Sequence, residues 1–336
     1  MQSSPRRLFS VGSILVDIRV EVPFLPERGG DVLASTAALV TGGGFNILAA
    51  AARNGLPTAF AGHHGTGSYG DRIRVDLARE GIDALLPANP HGDNGFCLVM
   101  VEPDGERTFV TSPGVEAHAK DRSLADIVLQ DRDAVFVSGY DLCYPELGTA
   151  IATWISALPA DLTLVLDPGP VVGEIPAPVL QSVLPRVDIL TMNHREASIL
   201  ATSSDMPLIF EKTLPRLRPG ALLIVRQGKD GCTLAGGPLS DEPVHVQAPA
   251  VRMVDSTGAG DAHTGVFIAG LADGLDPIPA AIRANAAAAL AVTKPGSATA
   301  PTSRELDGFL QTHRDPTWKT RQQGSARPIR NEETPS

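Results

Sequence analysis

The sequence has only three cysteines, Cys97, Cys143 and Cys232, far apart and with no CxxC pair. This spacing excludes the dense disulfide framework of small secreted domains and predicts reduced thiols. Cationic surplus is also missing: 28 Lys+Arg against 38 Asp+Glu leave a net charge of −10. That balance argues against nucleic acid and against an anionic membrane surface as partners. No apolar run approaches the ~18–20 residues needed to span a bilayer. The segment after Arg6-Arg7 is broken by Gly12 and Asp17, too early for a signal-peptide core. The expectation is a cytoplasmic protein. There is no GxxxxGK[ST] phosphate loop and no HExxH among the eight histidines, so a P-loop NTPase and a zincin lack support.

What is present is a long alternation. Short apolar runs, Leu8–Val11, Thr58–Ala61, Ala134–Val137, Thr163–Leu166, Ile189–Met192 and Leu222–Val225, read as strands buried on both faces. Between them Ile47–Asn54, Arg72–Glu80, Leu147–Ala157, Glu196–Ala201 and Ala262–Ala272 have helical spacing. The pattern predicts an α/β fold: three layers, a mostly parallel sheet flanked by helices. Residues 17–41 and 95–112 instead alternate around turn signals such as Glu27-Arg28-Gly29-Gly30 and Glu102-Pro103-Asp104-Gly105. They predict hairpins that join as a small antiparallel β lid. The main domain is then 8–16, 42–94 and 113–312. From 313 to 336 apolar periodicity fades, and a disordered tail is expected.

The most informative string is Asp255-Ser256-Thr257-Gly258-Ala259-Gly260-Asp261, placed after an expected strand Val251–Val254 and opening an apolar helix. Gly258 and Gly260 permit a tight turn that exposes N–H groups at a helix N-terminus, where an anion is favoured. Asp261 in the first turn is placed to accept a proton from a hydroxyl. Standing alone, it would equally serve the helix dipole.

The whole string resembles the signature of the ribokinase-like (PfkB carbohydrate kinase) family, and further matches follow in order. Gly12–Asp17 resembles that family's first strand and substrate aspartate, and a carboxylate suits adjacent hydroxyls. Thr41-Gly42-Gly43-Gly44-Phe45-Asn46 is similar to its substrate loop, although Thr41 replaces the first of the paired glycines and the ribokinase lysine is absent. Asn193-His194-Arg195-Glu196 matches its Asn-x-x-Glu element, which is also an ordinary capping box. Gln227–Gly231 resembles the nucleotide-side loop, with Arg226 where a small hydroxyl residue is common. The segment from Asn285 to Gly296 resembles the adenine border.

The resemblance implies ATP-dependent phosphorylation of a hydroxyl, a hydroxymethyl being the first choice, on a small sugar, with a nucleoside as the alternative acceptor. It makes Asp261 the general base and Gly258, Ala259 and Gly260 the phosphoryl cradle. Asp17, Gly42, Gly43 and Asn46 would hold the acceptor. Asn193, Glu196, Arg226, Gly228, Gly231 and Asn285 would serve the nucleotide, Glu196 supporting Mg²⁺ through water. Asp255, Thr257, Val292 and Pro295 would form a K⁺ site. A homodimer through the lid is expected, since an exposed sheet invites pairing.

Two other classes compete. Gly65-Thr66-Gly67-Ser68-Tyr69-Gly70 is a literal GxGxxG between a strand and a helix, which raises an NAD-dependent oxidoreductase. His63-His64 intervene before it, and no acidic residue closes a following strand at the right distance. A non-enzymatic sugar-binding regulator is the other alternative, and the intact Asp261 argues against it.

Overall fold

The computed structural model describes residues 4–118, 124–239, 242–313 and 321–322. Its strands are β1 Arg7–Ser10, β2 Ile14–Glu21, β3 Thr36–Gly43, β4 Thr58–Phe60, β5 Asp83–Ala84, β6 Phe96–Val101 and β7 Arg107–Ser112. They continue with β8 Asp133–Ser138, β9 Thr163–Asp167, β10 Ile189–Asn193, β11 Leu222–Arg226, β12 Cys232–Gly236, β13 Val244–Val246 and β14 Arg321–Gln322. The α-helices are α1 Gly44–Arg53, α2 Ser68–Arg79, α3 Gly139–Cys143, α4 Pro145–Ser156, α5 Ala177–Val183, α6 His194–Ala201, α7 Met206–Thr213, α8 Ala259–Ala272, α9 Pro277–Ala291 and α10 Ser303–Thr312.

Among the described residues a ten-stranded sheet runs β14-β13-β12-β11-β10-β9-β8-β1-β4-β5. From β11 to β5 every pair is parallel, whereas β12 to β14 add on antiparallel. Successive strand residues point to opposite faces, so each apolar run feeds two cores. Phe9, Val135, Leu164, Leu190 and Leu223 pack on the side of α4 to α7. Their neighbours Leu8, Ala134, Val165, Ile189 and Leu222 pack on the side of α1, α2, α8 and α9. The three layers expected from the sequence are present.

A separate four-stranded sheet, β3-β2-β6-β7, joins the two expected hairpins. Within each hairpin pairing is antiparallel, and the central β2–β6 pair is parallel. Its strands overrun the expected 17–41 segment at both ends, because β2 begins at Ile14 and β3 continues to Gly43.

Two local expectations change. Val251–Val254 forms no strand; Val254 and Asp255 instead donate their N–H groups to the Val292 carbonyl at the end of α9. The backbone is satisfied there by a helix terminus, which removes the need for a ladder. The tail expected to be disordered lies outside the described residues, except for His313 and for Arg321–Gln322, which pair with β13.

Candidate active site

Parallel strands deliver their last residues to one edge of the sheet, and ligand sites form beyond that edge. Asn193 and Arg226 are register partners at the ends of β10 and β11, and Ser138 and Asp167 at the ends of β8 and β9. Helix α8 points its N-terminus at the same edge. That helix is apolar around its circumference and buried from Ala262 to Gly270, as such a helix must be.

Its start depends on Gly258, the N-cap, in the left-handed region at φ 73°. A Cβ there would lie 1.9 Å from the Ser297 carbonyl oxygen. No side chain caps this N-terminus, so its dipole and amides are uncompensated by a neighbour's cap.

Close packing of α8 on α1 brings Asp261 to its partner. A Cβ on Gly265 would come within 2.6 Å of the Ile47 carbonyl oxygen and 2.7 Å of the Ala50 Cβ, so glycine and alanine set the helix separation. At that separation Asn46 Nδ2 donates to Asp261 Oδ2 at 3.0 Å. The Asn46 Oδ1 is buried without a partner, an acceptor available to a hydroxyl.

Asp17, on β2, is the second carboxylate. Its Oδ2 lies 2.4 Å from where a Gly42 Cβ would be, so the substrate-side glycine makes room for the carboxylate itself. Burial first, then the Asp261 charge, push the Asp17 carboxyl up to about 7. Asp261 is raised to about 6; burial dominates, Asp167 adds to it, and the Asn46 hydrogen bond and Arg226 oppose it. Gly43, with φ 67°, turns the chain into α1 next to the Ser13 carbonyl.

Arg226 sits in the middle of this edge. Its Nη1 donates to Asp167 Oδ2 (2.8 Å), the Gly260 carbonyl (3.2 Å) and Thr264 Oγ1 (3.1 Å), and its Nη2 is 3.7 Å from Glu196 Oε2. The guanidinium is thus engaged by the protein rather than open to a nucleotide as expected. Glu196 is buried and completes a capping box with Asn193, Asn193 donating to it through N at 2.8 Å and Nδ2 at 2.6 Å. Burial, then the Asp167 charge, raise Glu196 above the usual carboxylate range. Two carboxylates with one guanidinium between them retain negative charge, a donor set that fits the water shell of Mg²⁺.

The residues expected on the nucleotide side gather elsewhere on the edge. Gly228 and Gly231 both have positive φ, and a Cβ on Gly231 would lie 2.1 Å from the Val246 carbonyl oxygen. Asn285 Nδ2 donates to that same carbonyl at 2.9 Å. Of the expected K⁺ residues, the Asp255 carboxylate and the Val292 carbonyl are engaged within the chain. Asp255 Oδ1 accepts from Thr257 N and Oγ1, its Oδ2 from Gly296 N, and the Val292 carbonyl is already used twice.

Sequence reasoning left Asp167 out, although its place at the end of an apolar strand run is a legible signal. It also gave no role to Tyr140, whose half-exposed ring borders Gly169 and whose phenol is electrostatically coupled to Cys97, Glu196 and Asp261. Arg19 and Arg107 of the small sheet were missed as well; nothing in their local sequence marks what they reach. The GxGxxG string is occupied from within: Asp93 accepts from Tyr69 N (2.9 Å) and Gly70 N (2.7 Å) at the start of α2. The place a pyrophosphate would take holds a carboxylate of the same chain.

Among known proteins, the pfkB family carbohydrate kinase model matches residues 5–304. An uncharacterised sugar kinase of Escherichia coli, YegV, is 34% identical over 301 residues, covering 88% of this chain and 91% of that one. A putative ribokinase II of E. coli, solved in complex with ATP and Mg²⁺, shares the fold with a TM-score of 0.77 at 24% identity, covering 93% of this chain and 100% of the other. Arabidopsis thaliana ribokinase complexed with ribose and ATP gives 0.73 at 24%, covering 92% and 99%. A signature string, a separate small sheet that joins the two hairpins and a family match along nearly the whole chain agree: this chain belongs to the pfkB family of carbohydrate kinases and is an ATP-dependent carbohydrate kinase.

Proposed function

We propose that this kinase transfers the γ-phosphoryl group of ATP to a hydroxymethyl group of a small free sugar, with Asp261 as general base. The observation that carries the reading is the junction of α1, β2 and α8. Asn46 is hydrogen-bonded to Asp261, Asp17 is electrostatically coupled to it, and an uncapped helix N-terminus begins two residues before it.

Each group has one task. Asp17 accepts from acceptor hydroxyls, and the partnerless Asn46 Oδ1 takes another, which orients the attacking oxygen. Asp261 Oδ2, held by Asn46, removes its proton as the bond to phosphorus forms; such help is typically worth about 10²–10⁴-fold. The amides of the Gly258-Ala259-Gly260 turn face the charge that grows on the phosphoryl oxygens, fixed before reaction and therefore without reorganisation. Mg²⁺ bound with ATP supplies neutralising charge at the phosphates, and Glu196 with Asp167 would support its water shell. Gly228, Gly231 and Asn285 shape the nucleotide side. Closure of the small sheet excludes water, so that ATP is not spent on hydrolysis.

The exposed residues Leu39, Phe109 and Val110 on the edge strands of that sheet favour a second copy of the chain as their cover. Light scattering at working concentration tests this, and a monodisperse monomer would remove it.

The acceptor is found by following ATP consumption over pentoses, hexoses, sugar acids and nucleosides. Turnover on a free sugar bearing a primary hydroxyl is expected. Turnover confined to nucleosides would replace the acceptor class while leaving the chemistry.

A further inference from the structure

The small sheet does more than cover the cleft: two of its arginines grip the loop that leads into the phosphoryl cradle. Arg107, on β7, donates through Nη2 to Ser256 Oγ at 2.8 Å and through Nη1 to Thr257 Oγ1, with Asp255 Oδ1 at 3.4 Å. Arg19, on β2, brings Nη2 to 3.5 Å from Asp255 Oδ2. Its Nε is buried with no hydrogen-bond partner, so Arg19 is held there by charge more than by hydrogen bonding. Asp255 and Thr257 are two of the four residues for which a K⁺ site was expected, and their side-chain oxygens already hold partners within the chain. A third cation beside two guanidiniums would meet like charge at short range.

We propose that Arg19 and Arg107 supply in cis the positive charge of this loop, so that the enzyme runs without a monovalent cation and the cradle is charge-balanced only while the small sheet is docked. The inference rests on the kinase reading for its consequence, not for its geometry. One carboxylate, Asp255, carries an arginine and a backbone N–H on each oxygen: Arg107 and Thr257 N at Oδ1, Arg19 and Gly296 N at Oδ2. Undocking the sheet would remove two charges at once from the loop that sets Gly258.

The test uses the full chain, with ADP·Mg²⁺ as the probe, in KCl and in choline chloride at equal ionic strength. For the wild type, ADP affinity by calorimetry should agree within about twofold between the two salts. Arg107→Met should weaken ADP binding about tenfold in choline, regain part of it in KCl as the freed Asp255 attracts the ion, and speed hydrogen exchange at residues 255–260. Arg107→Lys, which keeps charge but loses the fork, should fall between. A tenfold or greater KCl enhancement in the wild type would overturn the proposal, as would an Arg19→Met, Arg107→Met double variant with unchanged exchange at 255–260. Lack of ADP binding in every salt would count against the kinase reading instead, and hydrogen exchange would still decide whether the arginines hold the loop.

Discussion

Two of the glycine-rich turns that open helices in this chain, those of α2 and α8, contrast: one is filled by a carboxylate of the chain and the other has no side-chain cap. At α2 the turn Gly65–Gly70 directs its first amides onto the carboxylate of Asp93. At α8 the turn Gly258–Gly260 has no side-chain cap, and the first acidic residue, Asp261, is drawn sideways to Asn46. The same helix-terminus physics acts at both places. The difference is whether another segment of the chain brings an anion. A glycine motif is therefore a statement about backbone reach, and its function is settled by what the fold puts in front of it.

The comparison breaks hardest at Asp261. Asp261→Asn keeps the shape and the Asn46 neighbour but removes the base, and kcat should fall by about 10²–10⁴-fold with nucleotide binding largely kept. Normal turnover in this variant would sink the assignment. Gly258→Ala comes next. It places a Cβ against the Ser297 carbonyl in a left-handed residue, and a left-handed non-glycine costs about 1–2 kcal/mol before the clash is counted. Turnover should drop about tenfold or more together with Tm; a wild-type melt and rate would show that the turn is not constrained as described.

At the other turn, Asp93→Ala should lower Tm by several degrees, since three charge-assisted bonds to backbone amides are lost, from Tyr69, Gly70 and Asn94, each worth about 1.5–3 kcal/mol. It should create no affinity for NAD. Fluorescence titration with NADH checks this, and binding there would revive the dinucleotide reading.

The finest distinction is electrostatic. As the proposed base, Asp261 must be ionised to act, so kcat should be lost as pH falls through its pKa of about 6, and kcat/KM should begin to fall higher, through that of the proposed acceptor ligand Asp17 at about 7. Arg226 lowers that pKa and Asp167 raises it. Arg226→Met should therefore move the acid limb up and Asp167→Asn should move it down, each by about one unit. Groups facing the carboxylate also include Asn46, Asp17 and Tyr140, and none of them reverses sign between the two variants. Shifts in the same direction would show that the two residues act only through folding.

Much of this was legible beforehand. The six apolar runs became central strands within a residue or two because buried parallel strands must be apolar on both faces. The seven-residue string at 255–261 found a tight turn and an uncapped helix start because its glycines are required by backbone geometry, a local property. The rest was not local. Val251–Val254 reads as a strand, yet its last N–H, that of Val254, goes to the Val292 carbonyl. Asp167 and Arg226 lie 59 positions apart and meet at 2.8 Å only because their strands flank β10. Arg19 and Arg107 look like solvated charges on a hairpin until the small sheet is docked.

The amino-acid order by itself determined the layered architecture, the place of the glycine turn before α8 and the kinase family, because periodicity, glycine geometry and motif spacing are written along the chain. Tertiary structure alone decided which of two glycine turns stays open, which guanidinium neutralises which carboxylate, and how far Asp17 and Asp261 are raised. Those outcomes depend on burial and on charges brought from distant segments, and electrostatic energy follows distance in space rather than in sequence.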